Sequence, residues 1–450
     1  MATTAEQSAG APPAHQRRRV RRAPALAALA TAQFLVVLST SIVNVALPSI
    51  GAGLRMSPAA LSWVVNAYVL AFGALLLLGG RLSDLLGRRR VFTSGIAVFA
   101  LGSLASGLAP SAPLLIAARA VQGAGAALLA PAALALVLTL FPPGPGRGGA
   151  LGVWGAVSGA GGAAGVLLSG ALTELYGWPA VFLVPVPVAA LSLAATLMLV
   201  PGDEPAGGEA DILGAVTSTA GLTALVYGLT AKNPLAGAAG LLLLAAFAVR
   251  QTRARTPLVP PRLLRTGKVL AANIAMTLLG AVWVGLFYFL PLYQQQILGY
   301  GPLAAGLTQL PLAVTVVVGS VLAPRLPVRT GAPAALVVLT LGLAWLSLAP
   351  DDGSFAVHLL GPSLLIGAGL GIAFVRLTAL STEGVPAADS GLAGGLINTT
   401  RQLGGALGLA LMTAIAPEAA DHGAAFLTAA VIAALTTCTT TFTITWRKQS

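Results

Sequence analysis

Gly80-Arg81-Leu82-Ser83-Asp84-Leu85-Leu86-Gly87-Arg88-Arg89-Arg90 is a polar break between two long apolar stretches, and part of it returns: Arg81-Leu82 followed by Gly87 is echoed by Arg325-Leu326 followed by Gly331. Four more pairs keep the same order. Leu47-Pro48 returns as Leu290-Pro291, and Ser57-Pro58-Ala59-Ala60 returns loosely as Gly301-Pro302-Leu303-Ala304. Gly123-Ala124-Gly125 matches Gly367-Ala368-Gly369, and Gly161-Gly162-Ala163-Ala164-Gly165 matches Gly404-Gly405-Ala406-Leu407-Gly408. Small-residue coincidences are cheap in a chain with 54 glycines. Five pairs in register, all roughly 244 residues apart, are hard to obtain by chance and imply a duplicated unit.

The duplicated unit belongs in a bilayer. With 56% hydrophobic and 8% charged residues, and a mean hydropathy of +0.88, too little polar surface exists to cover a soluble globule. A helix needs ~20 apolar residues to cross the hydrocarbon core, and division at charged or Pro/Gly-rich breaks gives about 14 such stretches. They are expected near 25–47, 59–79, 91–109, 112–140, 149–172, 179–200, 212–231, 235–250, 269–297, 303–323, 332–349, 355–378, 391–415 and 423–446.

Cytoplasmic loops collect Lys and Arg. With the N-terminus inside, 20 of the 25 basic residues fall in cytoplasmic segments, among them Arg17 to Arg22, Arg81, Arg88 to Arg90, Arg147, Arg250 to Lys268, Arg325, Arg329, Arg447 and Lys448. Arg55 and Lys232 fall outside. This asymmetry accounts for the net charge of +12 without nucleic acid. Residues 1–24 are expected to form a disordered basic cytoplasmic tail, not a cleaved leader. Residues 25–200 and 268–446 form two six-helix bundles, and 201–267 a two-helix insertion with a basic linker. Because six and two are even, both bundles start from the cytoplasm and are parallel, related by an axis along the membrane normal. The insertion is either a lipid-facing spacer or a gate or partner surface. One cysteine, Cys438, excludes an intramolecular disulfide and a Cys-based metal site. His15, His358 and His422 lie in the tail or at span ends, where a surface role is expected.

The Gly80–Arg90 stretch resembles the signature loop between spans two and three of the major facilitator superfamily. Glycines permit the tight turn, Asp84 can face a helix N-terminus, and the arginines hold the loop at the anionic inner leaflet. The resemblance implies that Gly80, Asp84, Gly87, Arg88 and Arg89 latch the two halves and control their rocking. Arg119, Gln122, Gly123, Gly125 and Ala127 look like the fourth-span motif, which implies a coupling role for Arg119 and Gln122. In span five, Gly155, Gly159, Gly161, Gly162 and Gly165 look in part like the antiporter motif, with Val166 where a proline is usual. Glycines four apart let helices pack backbone to backbone, so Gly155, Gly159, Gly162 and Gly165 are expected at a packing face, with tight packing alone and a hinge as alternatives. Further matches are Leu38 to Pro48, Trp63 to Tyr68, Trp178 to Pro187, Tyr293-Gln294-Gln295 and Asn398 to Gly408. With the 6+2+6 count, the chain after residue 24 resembles the 14-span drug:proton antiporters, the bacterial multidrug and antibiotic exporters.

The chain departs from that family where it commonly carries an aspartate, two residues before a Thr-Ile-Val-Asn run. The run here reads Ser41-Ile42-Val43-Asn44, and the aspartate position is Ser39. All 13 acidic residues lie in tails, loops or at span ends. From the 1.5 Å rise per residue, Ser39 and Arg119 both lie ~12–14 Å below the outer surface, and Arg401 ~15 Å from the inner one. Two embedded arginines without an embedded carboxylate suggest an electropositive or neutral cavity suited to neutral or acidic molecules. The alternative is that Arg119 bonds backbone carbonyls and Arg401 snorkels. Candidate wall residues are Ser39, Asn44, Asn66, Tyr68, Asn273, Tyr288, Tyr293, Gln294, Asn398, Arg401 and Gln402, with Gln122.

No His-Glu-x-x-His run, embedded acidic or histidine pair, or phosphate-binding loop points to an enzyme, and no cofactor or metal is expected. The expected function is export of drugs or antibiotic-like molecules across the bacterial cytoplasmic membrane by a functional monomer with both termini cytoplasmic, in exchange for protons. The partners are a small-molecule substrate, protons and lipids, with no nucleic acid. The alternative is a proton-uncoupled facilitator, or an uptake facilitator, of a neutral or acidic metabolite.

Overall fold

Helix-forming signals recur at the breaks between apolar stretches. Ser57 accepts the Ala60 N–H ahead of Pro58, Asp211 accepts the Gly214 N–H, and Asn233 accepts the Ala236 N–H ahead of Pro234. Each pairs a polar N-cap with a chain that turns helical at once. The computed structural model describes residues 14–142, 144–202, 209–264, 267–385 and 389–446, and all regular structure among them is helical.

The helices are α1 (Ala14–Gly53), α2 (Pro58–Leu86), α3 (Arg88–Gly107), α4 (Ala112–Leu140), α5 (Pro145–Tyr176), α6 (Ala180–Leu183), α7 (Pro185–Leu199), α8 (Ile212–Thr230) and α9 (Pro234–Arg253). They continue as α10 (Pro261–Leu264), α11 (Gly267–Leu292), α12 (Pro302–Thr308), α13 (Leu310–Leu322), α14 (Val328–Leu346), α15 (Leu360–Thr382), α16 (Ser390–Ile415) and α17 (His422–Trp446). α1 starts at Ala14, inside the segment expected as a disordered tail, while residues 1–13, Arg265, Asp203 to Pro205, Arg447 and Lys448 lie outside the described residues.

Twelve helices among the described residues are long and apolar enough to cross a membrane, and Thr330–Leu346 is a shorter apolar helix. α16 stands outside that set, because Asn398, Arg401 and Gln402 interrupt its apolar run. The protein surface is that of a membrane protein, since Met198 is 84% and Leu235 82% exposed. Expected continuous spans are broken at prolines, which lack an N–H and clash with the preceding turn. Pro185 divides α6 from α7, and Pro311 follows the break at Gln309 between α12 and α13. Two π-helical turns, Tyr293–Ile297 after α11 and Phe355–Leu359 before α15, were not foreseen from the sequence.

Packing repeats along the chain. α4 packs on α2 and α3 as α15 packs on α13 and α14, α1 packs on α5 and α7 as α11 packs on α16 and α17, and α3 meets α7 as α14 meets α17. The matched glycines sit at matched places. A methyl on Gly125 would lie 2.7 Å from the Phe99 Cα of α3, and one on Gly369 would lie 2.7 Å from the Ala335 carbonyl of α14. Gly123 abuts the Tyr68 backbone of α2 as Gly367 abuts Leu312 of α13.

α8 and α9 form a hairpin whose α8 packs on both α2 and α16, while the α9 span window is only 11% buried. Only α9 therefore matches a lipid-facing spacer. The hairpin is clamped at its base. Arg250 Nε donates to Asp211 Oδ1 at 2.7 Å, Gln251 Nε2 to Oδ2 at 2.8 Å, and the Val259 N–H to Gln251 Oε1 at 3.0 Å. Burial pushes the Asp211 carboxyl up, but the Gly214 N–H, Gln251 and the Arg250 guanidinium together hold it below the usual carboxylate range. A carboxyl depressed on folding contributes stability above its unfolded pKa and loses it as pH falls through the folded one. Asp211→Ala is expected to cost about 3 kcal/mol at neutral pH, the scale of a broken buried pair. In thermal melts of detergent-solubilised protein, the gap to the parent should begin to narrow below about pH 4 and go on narrowing as the pH falls through the depressed folded pKa.

Candidate functional site

Arg119 and Gln122 lie three apart on α4 and so share a face. They form the centre of a closed network. Arg119 Nε donates to the Val64 carbonyl at 3.0 Å, Nη1 to Gln122 Oε1 at 2.6 Å, and Nη2 to the Ser39 carbonyl at 3.5 Å. Gln122 Nε2 donates to Ser39 Oγ at 3.4 Å and Ser103 Oγ at 3.1 Å, and Ser103 donates to the Phe182 carbonyl at 2.7 Å. The Arg119 guanidinium stands 4.3 Å from the Tyr68 ring centroid and 5.7 Å from that of Phe182. Tyr68 in turn donates to the Val36 carbonyl at 3.3 Å. Ser39, Tyr68, Arg119 and Gln122 are thus brought together and sealed, with Arg119 only 1% exposed. Its acceptors are backbone carbonyls and an amide where the family's pattern supplies a carboxylate.

Arg401 is held differently. Its Nη2 donates to Asn398 Oδ1 at 2.9 Å, its Nε has no partner, and Phe374 of α15 lies 5.3 Å away. Trp283 of α11 packs 6.0 Å from both Phe374 and Phe287. The other candidates are dispersed. Asn44 bonds the Thr40 carbonyl, while Asn273 bonds the Val269 carbonyl and accepts from Thr400. Gln402 is buried where Gly73 of α2 abuts it, and Asn66 is buried seven residues before Gly73 on α2. Both Asn66 amide atoms and Gln402 Nε2 lack partners.

Tyr288, Tyr293 and Gln294 sit at the end opposite the arginine loop, where the first and second halves of the chain touch. There Gln295 Nε2 donates to the Val45 carbonyl at 2.7 Å, Tyr288 Oη to the Pro58 carbonyl at 3.4 Å, and the Leu303 N–H to Glu174 Oε2 at 2.9 Å. The π turn directs Tyr293 and Gln294 away from Gln295. Tyr293 donates to the Pro350 carbonyl at 2.6 Å, and Gln294 bridges Thr308 and Gln309. His422, expected at the surface, is buried, stacked 4.3 Å from Tyr293 with its Nε2 3.1 Å from the Ala349 carbonyl. Sequence reasoning named Gln295 only within a family match and passed over Trp283, Phe374 and Arg376, whose Nε and Nη2 lack partners.

At the arginine-loop end, Asp84 lies 3.8 Å from Arg88 with both side chains exposed. Polar contacts of this loop include Arg81 to the Glu209 carbonyl, Arg88 to Thr139 and Arg89 to the Leu197 carbonyl. They tie α2 and α3 to α4, α7 and the segment entering α8. Gly80 is near only Pro131, and Gly87 makes the turn at φ 95°. Of the four span-five glycines expected at a packing face, only Gly165 packs closely, with 2.8 Å from a Cβ there to Ser41 Cβ. Gly159 merely reaches Val317 at 3.6 Å, and Gly155 and Gly162 face open space. Gly161, 3.1 Å from the Phe34 carbonyl by the same measure, packs on α1 instead.

A groove of about 680 Å³ lies apart from these groups, between α2 and α8, lined by Trp63, Leu78, Ile212, Thr219 and Tyr227 among others. Among the described residues no cluster of His, Cys, Asp and Glu is arranged to hold a metal ion.

Residues 29–409 match the Major Facilitator Superfamily. The chain is 45% identical over 436 residues to the cephamycin export protein CmcT of Amycolatopsis lactamdurans, covering 90% of this chain and 89% of that one. It is 41% identical over 429 residues to the puromycin resistance protein pur8 of Streptomyces alboniger, covering 90% and 84%. Among solved structures, the POT family transporter PepTSo superposes with a TM-score of 0.75 at 12% identity, over 96% of this chain and 99% of that one, a likeness of fold alone. This chain therefore belongs to the Major Facilitator Superfamily, whose members are multi-pass membrane transporters and not enzymes.

Proposed function

We propose that this protein exports antibiotic-like small molecules across the bacterial cytoplasmic membrane by alternating access, with fourteen spans arranged 6+2+6 and both termini cytoplasmic. The observation that carries the proposal is the 45% identity along nine-tenths of the chain to a protein named for cephamycin export. The geometry agrees with it. Cross-half hydrogen bonds occur at the end opposite the arginine loop. Towards the arginine loop, Gly148, Gly149, Gly152 and Gly155 of α5 and Gly394 of α16 have nothing within 4 Å of an added Cβ. With the arginine loop inside, these observations support a reading in which the protein is closed outside and takes up its cargo from the cytoplasm.

Proton exchange is the finer part of the proposal. It rests on the family resemblance, and the Ser39 position, where Arg119 meets no carboxylate, favours the uncoupled alternative. The test is expression in an efflux-deficient bacterium, with cephamycin and puromycin accumulation measured beside the pH gradient of inverted vesicles. Lower accumulation with gradient dissipation is the result expected for antiport. Lower accumulation without dissipation would leave export standing and remove the proton. Unchanged accumulation of every compound tried would overturn export.

A further inference from the structure

Resting on that exporter reading, we infer that Arg401 is the docking point for an acidic group of the transported molecule, and that Phe374 and Trp283 fit the site to a planar or aromatic carboxylate. The starting point is the contrast between two arginines that the sequence alone treats alike. Each of the three Arg119 nitrogens has a protein acceptor, and the guanidinium is capped by Tyr68 and Phe182. Arg401 has one bond, to a neutral amide, and a free Nε. None of the ion pairs among the described residues includes it.

A guanidinium carries five N–H donors and no acceptor. Placing one in the middle of a span is costly even on insertion scales. A counter-ion is the natural complement, and none of the described residues supplies one.

The site is reachable. Gly394, Asn398 and Arg401 stand at i, i+4 and i+7, so they share one face of α16. Arg401 and Asn398 are half-buried, and nothing lies within 4 Å of a Cβ placed on Gly394. The Gly394 position therefore leaves space on the arginine-loop side of the half-buried guanidinium. The neighbouring face, through Gly395 and Gln402, is closed against Leu77 and Gly73 of α2. Carboxylates meet guanidinium through charge-assisted bonds roughly twice as strong as neutral ones. The flat faces of Phe374 and Trp283 beside the charge suit a ring attached to that carboxylate.

The test uses the purified full-length protein in nanodiscs of zwitterionic lipid. The probes are 2-naphthoate and its neutral counterpart 2-naphthamide, titrated by calorimetry. The parent is expected to bind the acid about tenfold or more tightly than the amide, the difference one charge-assisted contact gives. Arg401→Gln should abolish that preference while leaving amide affinity unchanged, which also reports an intact fold. Arg401→Lys should keep part of it, and Arg376→Gln, which alters an arginine turned towards Gly331 of α14, should keep all of it.

Equal binding of acid and amide by the parent, or equal loss of both in Arg401→Gln, would overturn the assignment. So would complete displacement of naphthoate by chloride at about 150 mM, because the site would then belong to an inorganic anion. Failure of the exporter reading looks different: the acid preference and its loss in Arg401→Gln persist while cells accumulate antibiotic as if the protein were absent.

Discussion

Gly79→Leu is expected to leave no folded transporter. Inside a bilayer, helices gain little by hiding apolar surface from lipid, so association depends on close van der Waals fit through small residues. A Cβ on Gly79 of α2 would strike the Ala127 carbonyl of α4, and one on Gly95 of α3 would lie 2.8 Å from the Leu129 nitrogen of α4. The obstacle in each case is backbone, which has no rotamer to change. One surplus methylene in a packed core already costs about 1–3 kcal/mol, and a leucine wedged between two backbones exceeds that several-fold. Size-exclusion chromatography should give no monodisperse peak, and export of every substrate should vanish. Gly155→Ala makes the opposite case. Gly155 lies within α5 with nothing within 4 Å of an added Cβ, so the replacement should be neutral or add up to about 1 kcal/mol through reduced chain entropy.

Arg119→Ala carries the next largest effect, about 3–5 kcal/mol of lost stability, the scale of a large buried side chain removed together with its bonds. The change leaves Gln122 Oε1 without its donor and empties the space between the Tyr68 and Phe182 rings. Arg119→Lys should recover little, because a single ammonium cannot meet three acceptors spread around a planar fork. Thermal unfolding in detergent separates this residue from Arg401. Arg119→Ala should shift the midpoint strongly, whereas Arg401→Gln should change which molecules bind and leave the midpoint nearly in place.

The glycine seams were legible because a close approach of two backbones is a local demand that a sequence must meet with the same residue each time. Gly123-Ala124-Gly125 and Gly367-Ala368-Gly369 announced the repeat, and the structure places both pairs at close backbone contacts. That Ser39 and Arg119 lie at one depth was legible from helix rise, whereas the packing of α1 on α4 that joins them was not. The span-five glycines show where such reading stops. Gly155, Gly159, Gly162 and Gly165 recur every three or four residues, yet their surroundings range from open space to contact with Ser41, because neighbours outside the helix decide what each one touches.

The Gln295 to Val45 bond was hidden for a related reason. It depends on a π turn that apolar periodicity does not record. The stacking of His422 on Tyr293 was equally out of reach, since it joins the start of one span to the end of another far away in the chain.

The position of α8 against both α2 and α16 has a mechanical consequence. In the alternating-access cycle proposed above, α8 would travel with only one of the two halves and slide on the other. The hairpin therefore acts as a source of friction, affecting the speed of the cycle more than its selectivity. Smoother or rougher side chains on the α8 surface would act as a brake setting, separate from the groups that choose the cargo.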